Sequence, residues 1–426
     1  MRIKRTLTIG FIFTIWTSVL FITYLYHPGQ SNDDSGKLNN KMVILEQGIS
    51  EEFAKNDVMI KDAQKLLETK KITKDMLMRE DIRNVKIPIL VFACNRVTVT
   101  RCLDSLIRFR PDPDRFPIIV SQDCNHDETK QAIENYGSQV SLIQQPDQSD
   151  IQVPPKEKKF RGYFKISRHY GWALNQMFFN FNFSTVIIVE DDLEVAPDFF
   201  EYFLGAYPVL LADETLWCVS AWNDNGKEDL VNMQRPDLLY RTDFFPGLGW
   251  MLTKNVWSEL YTKWPRAYWD DWIRDPSQRK GRSCIRPEIS RTRTFGKTGV
   301  SNGMFFEKHL KYIKLNEEPV PFTKMDLSYL LKDNYDNEFV KKVYQSPVIN
   351  YEDLKADKVD YEDPYRIVYR SREEYKRITK KLGLMDDFKS GVPRTAYKGI
   401  VTFHYKGRMV HLAPNVNWKG YDVTWS

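Results

Sequence analysis

The sequence predicts an α/β fold centred on a parallel sheet, and two observations carry that expectation. First, Thr185-Val-Ile-Ile-Val189 is a β-favouring run that leads straight into Glu190, Asp191 and Asp192. An apolar run of that length, closed by acids, reads as a strand buried on both faces of a sheet. Second, comparable runs recur between helical patterns, and such alternation implies parallel strands with right-handed crossovers. Ligands of open α/β sheets bind beyond the carboxyl ends of the strands, where these acids stand. Adjacent carboxylates repel one another, so a cation is expected to balance them. A hard divalent ion holding phosphate oxygens suits such donors. The competing reading is a solvated strand-to-helix turn whose acids favour a helix N-terminus.

Taken from its start, the chain opens with Arg2, Lys4 and Arg5, followed by an uncharged stretch over 7–26. About twenty such residues suffice to cross a bilayer. The run is longer than the apolar core of a signal peptide and has no small-residue cleavage site. Basic residues before it and Asp33 and Asp34 after it place the N-terminus in the cytosol. The expectation is a signal anchor over 7–26, with a cytosolic tail at 1–6 and the rest luminal; cleavage is the alternative. A polar stem follows over 27–85, with Ser31 to Asn40 as a flexible tether and a short helix within Met42 to Met78.

Beyond the stem, Ile87 to Ala93 is a strand ending at Cys94-Asn95-Arg96, and Phe116 to Gln122 is another ending at Asp123-Cys124. Val140 to Ile143 is a weaker third, and Tyr163 to Phe179 is helical and contains His169. Three strand ends thus deliver Arg96, Asp123 and the acid triplet to one edge. No glycine-rich phosphate loop is present, so side chains and metal must neutralise phosphate, and a guanidinium grips phosphate bidentately. Asp123 suits a base N–H or a hydroxyl. A lone histidine such as His169 is more often a packed or surface residue. Cys94 and Cys124 occupy matching positions past neighbouring strands, within reach of a disulfide in a luminal compartment. Asn182-Phe-Ser184 is an N-glycosylation sequon at the opposite end of the central strand.

The totals exclude other classes. Lys and Arg number 62 against 57 acids, a net charge of +5, too balanced to suggest nucleic acid. Five cysteines leave at least one unpaired within the chain, and no CxxC or His/Cys cluster suggests structural zinc.

Further on, Pro197 to Leu211 reads as a helix, Leu216 to Trp222 as a strand and Asn223 to Gly226 as a turn. The glycines and aromatics of Tyr240 to Trp250 are consistent with backbone passing close to a ligand. Trp269-Asp270-Asp271-Trp272 offers two carboxylates framed by aromatics. Desolvation there would raise a carboxylate pKa and favour a base, unless these are surface acids of an amphipathic helix. Together with Cys94-Asn-Arg96, Val120 to Cys124, Glu190 to Tyr202, Val219 to Gly226 and Cys284 to Arg291, this segment resembles the N-acetylglucosaminyltransferase I family, glycosyltransferase family 13. The resemblance runs from about Ile87 to the C-terminus.

That resemblance implies a GT-A fold, a Rossmann-like mixed sheet, over 86–325, and an inverting enzyme that binds UDP-GlcNAc with Mn²⁺ in the Golgi. The acceptor would be the α-1,3-linked mannose of oligomannose N-glycans, and the product linkage β-1,2. Asp192 would be the direct metal ligand, Asp191 would hold ribose and Glu190 the GlcNAc. Asp123 and His169 would recognise uracil, Arg96 and Ser301 would contact the diphosphate, and Asp270 would be the catalytic base. Gly296 to His309 matches a loop that orders over the donor in the family. Family pairing implies Cys94–Cys124 and Cys218–Cys284, with Cys102 free.

From Asp326 the texture becomes richer in acids, lysines and tyrosines. Ser371 to Leu382 is expected to be a helix, and Gly399 to Tyr405 with Arg408 to Leu412 a hairpin, in a small C-terminal subdomain over 326–426. Three other readings stay in view. One is a GlcNAc transferase for O-linked mannose, whose relatives need a longer stem. Another is a silent membrane-anchored lectin, which would be expected to lose Asp192 or Asp270. The third is a hydrolase using the same carboxylates.

Overall fold

The computed structural model describes residues 17–18, 21–22, 34–78, 84–297, 303–360 and 364–425. Nearly all of the expected anchor therefore lies outside the described residues. Among those described, no helix is long and apolar enough to cross a membrane. The chain divides into two compact units, Met1–Glu68 and Thr69–Ser426.

Helix α1, Asp34–Met78, spans 45 residues and corrects two expectations, the flexible tether and the short stem helix. Its Lys, Glu, Leu, Met, Ala and Gln residues are strong helix formers, and that local preference carries through a segment whose polarity suggested a coil. Apolar side chains along it, among them Ile44, Phe53 and Met59, are exposed.

The second unit is built on an eight-stranded mixed sheet. Its elements in chain order begin with β1 (Ile89–Ala93), α2 (Val99–Phe109), β2 (Ile118–Gln122), α3 (Asp127–Glu134), β3 (Val140–Gln144) and α4 (Arg161–Asn175). Then come β4 (Thr185–Glu190), β5 (Leu193–Val195), α5 (Phe199–Ala212), β6 (Leu216–Ser220), β7 (Leu239–Thr242) and β8 (Trp250–Thr253). A short helix α6 (Trp269–Arg274) precedes β9 (Ser283–Pro287) and β10 (Thr292–Thr294). The sheet order is β3-β2-β1-β4-β8-β6-β9-β7.

Strands β1 to β4 pair in parallel, as the strand-and-helix alternation predicts. The parallel pattern ends at β8, antiparallel to β4 and β6, and at β7, antiparallel to β9, so the sheet is mixed, as the resemblance implies. The reversal is made earlier, between β6 and β7: β7 is antiparallel to β9, β9 parallel to β6 and β6 antiparallel to β8, so β7 and β8 run the same way. Gly247 and Gly249 hold positive φ values of 69° and 88° in the connection between those two strands. A side chain at Gly249 would strike Thr292, so that close approach is to the protein's own β10.

Both faces of the central strands are buried, which explains their unbroken apolar runs. Ile89, Val91, Ile187 and Val189 pack with α2 and α5 on one side. Leu90, Phe92, Val186 and Ile188 pack on the other with Tyr170, Ala173 and Leu174 of α4 and with Trp250, Trp257 and Trp269. Toward the C-terminus, β11 (Tyr365–Tyr369), α7 (Arg372–Leu382), β12 (Phe388–Lys389), β13 (Val392–Pro393), β14 (Val401–Tyr405) and β15 (Arg408–Pro414) follow. The expected hairpin is β14–β15, with β11 added in parallel along β15. Ser371 caps α7 by accepting from the Glu374 amide, and Gly383 closes it in the left-handed conformation. This layer shares a core with Phe244 and Leu230.

Candidate active site

Register places the polar strand ends together. Phe92 of β1 lies opposite both Ser121 of β2 and Glu190 of β4, so the residues just beyond emerge at one edge. The Asp191 amide donates to the Phe92 carbonyl and the Asp123 amide to that of Ala93, both at 3.0 Å. The Cys94–Cys124 disulfide bridges the first two strand ends, with Cα atoms 5.2 Å apart. Cys218–Cys284 joins β6 to β9, and Cys102 is free and buried. All three cysteine expectations hold.

At that edge Arg96 Nη1 donates to Asp191 Oδ1 at 2.8 Å and to Asp192 Oδ2 at 2.9 Å. Burial works against the Arg96 charge, yet the two carboxylates hold its pKa above the usual value. Glu190 accepts from the Tyr170 hydroxyl at 2.8 Å. Burial, reinforced by the Asp192 charge, pushes the Glu190 carboxyl up to about 7. Burial likewise raises Asp191 to about 6 and raises Asp192. One guanidinium thus faces buried Asp191 and half-buried Asp192, with half-buried Glu190 beside them, and the three carboxyls lie close enough for their charges to disfavour one another.

His169 is buried on α4, its Nε2 2.7 Å from Ser121 Oγ and its ring edge-on to Phe92. Burial lowers its pKa to about 4, so the ring is neutral, while Asp123 opposes the shift and so lies within electrostatic range. Asp123 Oδ1 accepts from Gln148 Nε2 at 2.9 Å. His169 and Asp123 therefore stand on one flank of the acids.

Trp269 and Asp270 stand on the other. The Tyr170 ring is stacked between Phe92 (centroids 3.7 Å apart) and Trp269 (4.4 Å), so one aromatic column joins β1, α4 and α6. Through it the two acidic groups share a site, and the Asp270 charge contributes to the raised Glu190 pKa. Tyr268, just before α6, has φ 52°, a left-handed strain of about 1–3 kcal/mol for a non-glycine residue. The Asp270 side chain is 46% exposed and paired with Arg274 at 3.0 Å. It is held by a cation and not buried against tryptophan, as the aromatic frame had suggested.

A short antiparallel ribbon, β5 with β10, brings Gly296 beside the acids. The Phe295 amide donates to the Asp192 carbonyl at 2.9 Å. Behind the ribbon Glu194 is paired with Arg101 and Arg293. Ser301 lies outside the described residues. Sequence reading missed Tyr170, Arg274 and the Arg291–Asp198 pair. Only Arg274 left a local signal, its i+4 spacing from Asp270 on a helix.

The acids, Arg96, His169 and the tryptophan-framed Asp270 make one constellation, and the matching family model spans residues 30–425. The chain belongs to the GNT-I family. It is 43% identical over 317 residues to an Arabidopsis thaliana alpha-1,3-mannosyl-glycoprotein 2-beta-N-acetylglucosaminyltransferase, a match covering 74% of this chain and 70% of that relative. Among solved structures it is distantly similar to a mannosyltransferase from Pyrobaculum calidifontis in complex with GDP-Man and Mn²⁺. There the identity is 16%, with 62% of this chain and 77% of that one covered, at a TM-score of 0.36. A second is S. aureus TarS 1-349 in complex with UDP-GlcNAc, at 13% identity, 41% and 47% coverage and a TM-score of 0.26.

Proposed function

We propose that this GNT-I family chain transfers GlcNAc from UDP-GlcNAc, in β-1,2 linkage, to the α-1,3-linked mannose of oligomannose N-glycans. The observation that carries the reading is the shared site of Asp270 and the Glu190–Asp192 cluster, joined by the Phe92–Tyr170–Trp269 column. On this reading the mixed sheet is a GT-A fold, 7–26 anchors the chain in the Golgi membrane, 27–85 is its stem, and the catalytic unit works in the lumen.

The residues fit a divalent cation of the Mn²⁺ class. Three adjacent acids, buried or half-buried, with one guanidinium leave negative charge to neutralise, and Asp192 is the proposed ligand. Among the described residues no three His, Cys, Asp or Glu groups form a ready cage. The fit is instead to an ion that takes a carboxylate and completes its shell with diphosphate oxygens and water. Bound there, it would act as a Lewis acid toward the leaving diphosphate.

The chain's own groups do the rest. Arg96 is placed to turn from the carboxylates to the diphosphate, with Ser301 as the second diphosphate contact. Asp191 holds the ribose and Glu190 the GlcNAc, its carboxylate oriented by Tyr170. Asp123 and neutral His169 read the uracil. Asp270 takes the proton from the mannose 2-hydroxyl as that oxygen attacks the anomeric carbon and the bond to UDP breaks. A single displacement inverts the α-linked donor to a β-linked product, as a base and an opposed leaving group do in inverting glycosidases.

The test uses the fragment from residue 84 with UDP-GlcNAc, Mn²⁺ and a five-mannose N-glycan, beside an O-mannosyl peptide. One added β-1,2 HexNAc on the N-glycan is expected, lost in Asp270→Ala and Asp192→Ala. Transfer to the O-mannosyl peptide alone would overturn the acceptor assignment.

A further inference from the structure

Helix α6 is only six residues long, yet its last residue is fixed from three sides. Arg274 Nε donates to the Phe245 carbonyl at 3.1 Å, and its guanidinium lies over the Phe244 ring at 4.9 Å. Its Nη1 then bridges Asp270 Oδ2 at 3.0 Å and Asp271 Oδ1 at 3.1 Å. Asp271 is met from the other side by Lys389 Nζ at 3.0 Å. Lys389 belongs to β12, where its neighbour Phe388 is buried against Tyr375 and Trp425 of the C-terminal layer. Two carboxylates and two cations therefore alternate in a chain, Asp270–Arg274–Asp271–Lys389, with three members on α6 and the fourth 118 residues from Asp271.

Resting on the transferase reading, we propose that Arg274 and Lys389 are positioning residues for Asp270, a two-cation clamp that fixes its carboxylate. Asp270 Oδ2 is held by Arg274, while no donor to Oδ1 is found among the described residues, so Oδ1 is the oxygen left for the acceptor proton. The clamp is needed because the other groups facing Asp270 are Asp271 on its own helix, Glu190 of β4, and Tyr163 and Tyr170 of α4. None of them is a cation. Without Arg274 the Asp270 carboxylate loses the donor that fixes Oδ2, and the neighbouring acids repel it out of place. A lysine could supply the charge but not, at the same time, the Nε bond that anchors the guanidinium to the Phe245 carbonyl. Lys389 acts at one remove. By neutralising Asp271 it leaves Arg274 shared between the two acids, so the C-terminal layer tunes the acceptor side of the site.

The experiment measures kcat and donor KM for wild type, Arg274→Gln, Arg274→Lys, Lys389→Met and Lys389→Arg. Calorimetric binding of UDP reports that each variant is folded. Arg274→Gln is expected to lose about 100-fold in kcat, the scale of a misplaced catalytic group, with donor KM nearly unchanged. Arg274→Lys should recover only part of that loss, because lysine has no Nε to bond the Phe245 carbonyl. Lys389→Met should lose less, again in kcat and not in donor KM, and Lys389→Arg should restore it. Wild-type kcat in Arg274→Gln and Lys389→Met would overturn the clamp and leave the transferase reading intact. So would a loss of kcat matched by weaker UDP binding, or one in Lys389→Met that Lys389→Arg fails to restore, which is what a merely structural role gives. No transfer by the wild type would remove the transferase reading, and the clamp with it.

Discussion

Gly296 backs directly onto Asp192: a Cβ at 296 would collide with the Asp192 carboxylate. The β5–β10 ribbon enforces that approach, since Thr294 pairs with Leu193 and the Phe295 amide is bound to the Asp192 carbonyl. Gly296→Ala must therefore push the carboxylate, the ribbon, or both. Displacing a catalytic group by about 1 Å costs on the order of 100-fold in rate. The expected result is a kcat/KM lower by at least about that factor, with the thermal transition little changed because Gly296 lies past the end of β10 and is only half-buried. Steady-state kinetics beside a melting curve checks this; an Ala variant as active as wild type would mean the ribbon yields freely.

A second expectation concerns pH and lies far from the acids. His411 of β15 is buried, with Nδ1 2.9 Å from Thr402 Oγ1 and its ring edge-on to Phe339. Burial, with Lys342 and His404 adding repulsion, pulls its pKa down to about 3. The folded value lies below the unfolded one of about 6.5, so the unfolded chain binds the extra proton. The contribution of His411 is fully present above pH 6.5 and is lost as pH falls toward the folded value. Glu190 and Asp191, whose pKa values are raised, carry the opposite sign, so the wild-type curve alone mixes the two effects. The informative quantity is wild type minus His411→Asn. That difference should fall by about 1.4 kcal/mol per pH unit between about pH 6 and 4 in urea titrations. A constant difference would show that His411 is not kept neutral by the fold.

Much of this site could be read before any coordinates, and the reason is agreement between levels. Thr185 to Val189 has strand propensity and an apolar run closed by an acid, and β4 covers it and runs one residue further, to Glu190. Arg96, Asp123 and the Cys94–Cys124 bridge follow, because parallel register brings strand ends to one edge. What stayed hidden depends on contacts without local pattern. Tyr170 reaches Glu190 only through the rotation of α4 against the sheet. Lys389 meets Asp271 across 118 residues. Gly296 had a glycine's signal, but the sequence gives no sign that its missing side chain makes room for Asp192. The antiparallel β8 rests on the chain reversing between β6 and β7 without a crossover helix, which the strand-and-helix alternation does not record.

A buried ion pair gives the third expectation. Asp198 stands just before α5 and is 2% exposed. Arg291 Nη2 meets its Oδ2 at 3.0 Å and donates also to the Pro236 carbonyl at 2.7 Å. Asn316 Nδ2 and the Val320 amide supply two further donors to Asp198. Every partner is satisfied, so the pair joins the start of α5, the β9–β10 connection and the segment at 316–320. Removing one partner strands a buried charge, a cost of about 3–5 kcal/mol. Arg291→Met should lose about that much in denaturant unfolding, whereas Asp198→Asn together with Arg291→Met should lose less than the two single changes summed. Additive losses would mean the two side chains stabilise the fold independently.

The last expectation follows from the proposed luminal placement and concerns Asn182. Its backbone is left-handed, with φ 61°, a conformation asparagine tolerates, and the residue is exposed. Its Oδ1 accepts from Lys254 Nζ at 2.6 Å, a surface contact that a glycan would displace at little cost. The exposed rings of Phe179, Phe181 and Tyr261 lie around it, with Phe179 edge-on to Tyr261. An attached N-glycan would cover this aromatic patch while leaving the acids clear, because β4 separates the two by about 20 Å. Protein made through a eukaryotic secretory pathway should show a mass shift on N-glycosidase treatment. The shift should vanish in Asn182→Gln and in Ser184→Ala, with kcat/KM for GlcNAc transfer unchanged and solubility reduced. An unshifted wild type, secreted beside a glycosylated control, would show that the sequon is unused and the patch bare.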